Sequence, residues 1–190
     1  VGSEMCIRDR ASSGLRGAIL DGFEAANAAV LALNLGAATT LAAVEVDGDR
    51  LRPYHVGDSM ILICGRQGRV KVNVVPHSPV GYAVEAGVLA EEEAMYHPAR
   101  NLVSNLVGTP EMRIEVGAEL RRARYDTVLL ASDGLSDNLL VEELVEQVRK
   151  GPLPRVARGL VEQTSRRMEV KREREPSKPD DLSFVLLRGL

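Results

Sequence analysis

Residues 128–139 read VLLASDGLSDNL. An apolar run ends in Ser132-Asp133-Gly134, and a polar, helix-like segment follows. Residues 126–131 read as a continuous strand buried on both faces. Asp is a poor strand former and is rarely buried without a partner. Its place at the exit of such a strand therefore needs a cause. Two stay open at this point: a turn or helix cap, sufficient at about 1 kcal/mol, or a metal ligand.

Working upstream, helical periodicity begins at Ala11. Leu15, Ile19, Phe23, Ala26, Val30 and Leu33 recur on one face, Ser12 and Ser13 can cap the start, and Gly36 can stop the end. The period then switches to two. Residues 39–46 (TTLAAVEV) and 51–56 read as strands joined by a hairpin turn at Asp47-Gly48. Gly57-Asp58-Ser59 makes another tight break, and residues 60–64 (MILIC) and 70–75 read as the next two strands of an antiparallel meander. Pro76, Pro79, Pro98 and Pro110 interrupt residues 76–112, an insert with two short helices near 90–95 and 99–106. An insert in a β-rich frame often carries function.

Downstream of the opening stretch, helices are expected near 141–149 and 153–169. The charge run from Arg166 to Glu175 reads as a solvated helix end or loop, and LSFVLLR, residues 182–188, closes the chain as a strand. Helix, meander, helices and a final strand make an α+β ordering, in which helices can cover two stacked sheets from both sides.

At 190 residues and 45% hydrophobic content the chain can bury one core, so residues 11–190 are read as a single domain. Only 3% of residues are aromatic and none is Trp, which leaves the core to Leu, Val, Ile and Ala. A net charge of −3 gives no global attraction for nucleic acid or anionic lipid. No apolar run approaches the ~20 residues that span a bilayer. Two cysteines, Cys6 and Cys64, make no disulfide framework and suit a reducing, cytoplasmic setting. Residues 1–10, VGSEMCIRDR, show no periodicity, do not begin with Met and are too charged for a secretory signal. They are set aside as a non-native or artefactual segment.

Three places put aspartate at a strand edge: Asp58 in VGDS, Asp133 in ASDGL, and Asp180, with Asp181, in KPDDLSFVLL. Singly each has a plain reading, as a second hairpin turn, a helix cap and a loop residue after Pro179. As a set they have another. Hard divalent cations such as Mg²⁺ and Mn²⁺ prefer carboxylate oxygens, and a pair of them can ionise a water between them. Carboxylates from distant parts of a chain can meet at one rim of a rigid sheet, and adjacent glycines let substrate approach.

VGDS after a hairpin, a strand ending in LLASDGLSD, and PDDLSFVLL near the C-terminus, in that order, resemble the metal-dependent protein phosphatase family, type 2C. GAATTLAAVEV, residues 36–46, is similar to the family's strand before its GDS turn, and residues 77–108 to its insert. The likeness runs over about residues 15–190. It implies an αββα four-layer sandwich of two antiparallel sheets flanked by helices. It also implies hydrolysis of phosphoserine and phosphothreonine in proteins by a metal-activated water attacking in line, without a covalent phosphoenzyme. Mn²⁺ or Mg²⁺, two ions and a third in a complete domain, would be the cofactors. A phosphoprotein substrate and a cognate Ser/Thr kinase would be the partners. The likeness assigns Asp133 and Asp180 to the catalytic metal pair and Asp58, with Asp133, to the looser third ion. Gly134 and Asp181 are additional, weaker candidates. Met60 stands where the family usually has Arg, a departure that bears on packing or surface charge more than on metals.

The family's first two strands carry an Arg for the substrate phosphate and an acidic residue near the metals. An Asp-Gly-His-Gly-Gly-like motif follows, whose Asp bridges the ions. Residues 1–35 match none of these. The expectation is a fragment incomplete at its N-terminus, with exposed sheet edges and little turnover. The alternative is a non-catalytic relative kept for binding a partner. A haloacid-dehalogenase-like reading, prompted by VGDS and DGD, is set aside because MILIC follows GDS. His55, His77 and His97 show no ligand spacing. For His77 and His97 a capping or surface position stands against a role with a substrate proton. Glu91–Glu93 read as the first turn of a helix, and Cys64 as a buried small hydrophobe.

Overall fold

The computed structural model describes residues 14–170, 172 and 175–189. The segment 1–10 and the Ser12 and Ser13 cap lie outside the described residues. In chain order the first half comprises α1 (Gly14–Ala32), β1 (Leu41–Asp47), β2 (Arg50–Val56), β3 (Met60–Cys64), β4 (Val70–Asn73), α2 (Pro79–Glu85) and α3 (Glu91–Ala94). The second comprises β5 (Glu115–Val116), β6 (Leu120–Arg121), β7 (Thr127–Ala131), α4 (Asp133–Ser136), α5 (Val141–Val148), α6 (Leu153–Glu169) and β8 (Phe184–Arg188).

Strands β1 and β2 form the expected hairpin, but Asp47 pairs with Arg50, so the turn residues are Gly48 and Asp49. Gly48, at φ 58°, supplies the positive φ that a two-residue turn requires. The meander then fails. β3 does not continue from β2 but pairs with β4 and β7, in a second sheet ordered β4-β3-β7-β8 with every neighbour antiparallel. The break at Gly57–Ser59 is a crossing between sheets, not a hairpin. Gly57 makes it possible: at φ 102° with a Cβ that would overlap Thr40 Cγ2, no other residue fits.

Alternation along the strands now sorts into layers. Leu51, Ile63 and Val128, with Val44, Val72 and Leu130, fill the space between the sheets. Tyr54 and Val56 face the other way and meet Phe23 and its neighbours on α1. Leu62, Cys64, Leu129 and Ala131 turn outward against Leu144, Val148, Val156 and Leu160 of α5 and α6. The order is helix, sheet, sheet, helices: the four-layer sandwich. β7 is buried on both faces and Cys64 is a core residue, as expected.

One helix is added and two local readings are corrected. Ser78 caps α2, accepting the Gly81 N–H at 2.8 Å, with Pro79 in the first turn. Residues 99–106 form turns rather than a helix, because Ser104 and Asn105 bond to His77 and Arg113 instead of to a helical ladder. Within the charge run, Arg167 is buried and donates to Glu143 and to the Asn138 carbonyl. Val185 and Leu187 of strand β8 are exposed, whereas Phe184 and Leu186 on its other face pack onto the helical layer.

Candidate metal centre

Met60 pairs with Ala131, and Ala131 pairs with Phe184. Because β3 and β8 both run antiparallel to β7, their starts and the end of β7 share one rim. Asp58 precedes Met60, Asp133 follows Ala131, and Asp180 precedes Phe184. Strand register alone thus brings the three predicted aspartates to one edge of the second sheet.

Short-range chemistry tightens the convergence. The Ser132 N–H donates to Ser183 O at 2.9 Å and the Ser183 N–H to Ser132 Oγ at 3.1 Å, tying the exit of β7 to the approach of β8. A Cβ on Gly134 would overlap the Asp181 carbonyl oxygen, so glycine is required for α4 to lie against that segment. The Gly134 carbonyl accepts from Asn138 Nδ2 at 2.9 Å. Ser132, not Asp133, occupies the cap position of α4, which leaves the Asp133 carboxylate free to face the rim.

What it faces is Lys178. The ammonium lies 2.9 Å from Asp133, 2.6 Å from Asp137 and 3.3 Å from Asp180. Its backbone is fixed by the buried Asn138, whose amide donates to Lys178 O and accepts the Lys178 N–H, both at 2.8 Å. Asp137 and Lys178 are the two members that sequence reasoning missed. The signal for Asp137 lies in the opening stretch: four residues after Asp133, it falls one helical turn along on the same face. Nothing in the sequence around Lys178 marks it.

The electrostatics divide the rim. Burial raises the Asp58 pKa, and the negative charge of Asp133 raises it further. Burial also raises that of Asp137, against the hydrogen bond from Lys178. Asp180 is lowered, first by the Asp181 N–H it accepts and then by Lys178. Burial works against the Lys178 charge, but the bonds to Asp137 and Asp133 outweigh it and its pKa is raised. Convergent carboxylates already holding one cation are the donor set a hard divalent ion requires, so these residues fit such an ion. Asp181 is exposed; its carbonyl accepts from Ser132 Oγ at 3.2 Å.

A cavity of about 360 Å³ opens on Asp58, Asp133 and Asp137, with Arg100 on its wall and Met60, Val80 and Leu139 as apolar lining. A larger one, about 570 Å³, shares none of these residues and is lined by His77, Asn105, Arg113 and Glu115 among others. The rim aspartates Asp58, Asp133 and Asp137 tie the smaller cavity to the candidate site. His77 is buried rather than at the surface, as is His55, on which it stacks. His97 is exposed, matching the surface reading, and its Nδ1 accepts the Ala99 N–H at 3.1 Å within a turn.

Residues 4–185 match the family described as Protein phosphatase 2C. The serine/threonine protein phosphatase PstP of Mycobacterium tuberculosis H37Rv is 34% identical over 128 residues, 67% of this chain and 24% of PstP. The protein phosphatase PhpP of Streptococcus pneumoniae R6 is 32% identical over 111 residues, 57% of this chain and 44% of PhpP. The chain therefore spans less than half the length of these curated relatives. Among solved structures, M. tuberculosis PstP/Ppp superposes with a TM-score of 0.72 at 28% identity, covering 84% of this chain and 69% of that one. The catalytic domain of PstP in complex with two manganese ions gives 0.69 at 26% identity, covering 90% and 68%.

Proposed function

The chain belongs to the protein phosphatase 2C family, and we propose that its carboxylate rim is the metal-binding part of a Ser/Thr protein phosphatase site. The observation that carries the reading is the meeting of Asp58, Asp133, Asp137 and Asp180 at one sheet rim, three of them on a single cation. Asp133 and Asp180 would hold the catalytic pair, Asp58 would serve a further ion with Asp133, and Asp137 joins them as a fourth carboxylate. Mn²⁺, found in a relative's structure, and Mg²⁺ both suit these donors. Such ions supply a polarised phosphoryl oxygen and a water acidic enough to attack near neutral pH.

The remaining roles fall to the chain itself. Arg100 on the cavity wall offers a guanidinium suited to a phosphate or an acidic side chain. The apolar lining from Met60, Val80 and Leu139 would exclude water around the phosphorylated residue. Asn138 holds the Lys178 segment, and so Asp180, against α4. The substrate class is a phosphoserine or phosphothreonine protein, with a Ser/Thr kinase supplying the modification. For these 190 residues by themselves we expect little turnover, since no Asp-Gly-His-Gly-Gly-like sequence occurs among residues 1–35.

A second reading, a non-catalytic relative kept for binding, draws on one observation: the Lys178 ammonium already occupies the space between Asp133 and Asp137. A thermal melt with and without millimolar Mn²⁺, beside Asp133→Asn, separates the two. Ion at a hundred times its dissociation constant adds about 2.7 kcal/mol. A Mn²⁺-dependent rise that disappears in the variant supports the phosphatase site. No rise in the folded parent chain gives the binding reading precedence.

A further inference from the structure

His77 is buried and lies outside the carboxylate rim, yet it meets three separate parts of the fold. Its backbone N–H donates to Gly57 O at 3.0 Å, and its carbonyl accepts from the N–H and the hydroxyl of Ser104 at 2.8 and 2.9 Å. Its ring takes Gly57 again: Nδ1 accepts the Gly57 N–H at 3.0 Å. Asn105 Nδ2 reaches the same Nδ1 at 2.9 Å, and Nε2 lies 2.9 Å from Glu115 Oε2.

These partners decide the tautomer. The Asn105 amide cannot be reversed, because Oδ1 accepts the Arg113 N–H at 3.0 Å and Nδ2 donates to Arg113 O at 2.7 Å. Two N–H donors therefore point at Nδ1, which must present its lone pair, so the proton sits on Nε2 and is given to Glu115. The same assignment removes a tempting alternative. His55, His77 and Glu115 bring ligand atoms within 4.8 Å of one another, as a metal trio would. But ligation through His77 Nε2 would demand an imidazolate, and His55 Nε2 faces the Val75 carbonyl at 3.0 Å, which only accepts. The two rings stack at 4.3 Å as neutral, hydrogen-bonded groups.

We infer that His77 is a positioning residue for Asp58: by holding both the N–H and the carbonyl of Gly57 it sets where the next residue presents its carboxylate. Gly57 is the point at which the chain leaves one sheet for the other, and it sits at a φ of 102° that only glycine tolerates. On the far side of the turn, Thr40 Oγ1 and Ser59 Oγ are 2.8 Å apart. The Gly57–Ser59 turn is thus gripped from both flanks, with His77 as the grip that reaches into the insert through Ser104 and Asn105. The inference rests on the reading of Asp58 as a metal ligand.

Two measurements on the 190-residue chain test it. Nitrogen-detected NMR should show a bare Nδ1 and a protonated Nε2 on His77, with the Gly57 amide protected from exchange. Asn105→Asp turns a donor into an acceptor and should place a proton on Nδ1 while Nε2 keeps its own for Glu115, releasing the Gly57 N–H without emptying the core. In Mn²⁺ titrations, His77→Leu and Asn105→Asp should weaken binding about tenfold or more, the usual scale for a residue that supports a ligand. His77→Asn, whose amide oxygen can take the place of Nδ1, should recover most of that loss. In an Asp58→Asn background none of the three should matter. An equal loss in that background, or a Gly57 amide indifferent to His77→Leu and Asn105→Asp, overturns the inference. Absence of Mn²⁺ binding by the parent chain counts against the metal reading alone. Exchange at Gly57 and Asp58 then decides the grip by itself: lost protection in His77→Leu that His77→Asn restores supports it, and unchanged protection overturns it.

Discussion

Asp133, Asp137 and Asp180 share the ammonium of Lys178, whereas Asp58 forms no salt bridge among the described residues and depends on the backbone of its turn. The two sides of one rim are therefore set by different physics. On the first side like charges are kept together by an opposite one, and the carboxylates go where the cation is. On the second the direction of the chain is imposed by a glycine, a buried imidazole and a pair of hydroxyls, and the carboxylate is carried along. Charge makes a site adaptable, because one cation can replace another. Backbone constraint makes it unforgiving, because a turn either fits or does not.

The largest effect should come from breaking the constrained side. Gly57→Ala sets a methyl against Thr40 at a φ of 102°. Strain and overlap together should cost about 3 kcal/mol or more, read as a shifted urea midpoint, with Asp58-dependent Mn²⁺ binding lost. Breaking the ionic side should do less and cut two ways. Lys178→Met leaves three carboxylates facing one another. Losing a buried partner costs roughly 3–5 kcal/mol, but the Lys178 side chain is 18% exposed, so solvent screening reduces the loss to about 2 kcal/mol. The same variant should bind Mn²⁺ more tightly, because the ion no longer displaces a resident charge. Equal or weaker Mn²⁺ affinity in Lys178→Met would end the view of Lys178 as a competing cation.

Acid sharpens the contrast further, with a smaller effect. Burial lowers the His55 pKa from its ordinary 6.5. Above pH 6.5 the imidazole is neutral folded or unfolded, and its contribution to stability is complete. As the pH falls below 6.5 the unfolded chain takes up a proton that the folded chain refuses, so stability declines toward the lowered folded pKa. His55→Gln keeps an N–H for the Val75 carbonyl and cannot titrate. Denaturation midpoints for that variant, measured in a Mn²⁺-free buffer, should lose the parent's decline as the pH falls below 6.5.

Much of this was readable in advance, and the failures have physical reasons. Period-two alternation located β1 and β2, and continuous apolar runs located β3 and β7, but neither pattern says which strand lies alongside. Hence a sheet crossing at Gly57 was read as one more turn of a meander. Ser78-Pro79 carried a helix-start signal that the surrounding prolines obscured, and residues 99–106 looked helical until tertiary bonds to His77 took their polar groups. Asp58, Asp133 and Asp180 could be nominated from strand-edge positions and family likeness. Lys178 could not, since only folding shows that a loop lysine beside a proline ends among three carboxylates. His77 looked like a surface or capping residue because histidine spacing reveals ligands, not burial.

The ladder Met60–Ala131–Phe184 has a consequence in time. Its three strands are remote in sequence, and pairings of that kind form late, because their chain closure must precede any gain from contact. Local turns and helices can appear early, but the carboxylates are strangers until the second sheet is complete. We predict that Mn²⁺ added to a refolding chain leaves the folding rate unchanged and slows unfolding, as expected for contacts absent from the transition state. A Mn²⁺-accelerated folding phase in stopped-flow would instead make the ion a template. On the present geometry it is a latecomer that locks a finished door.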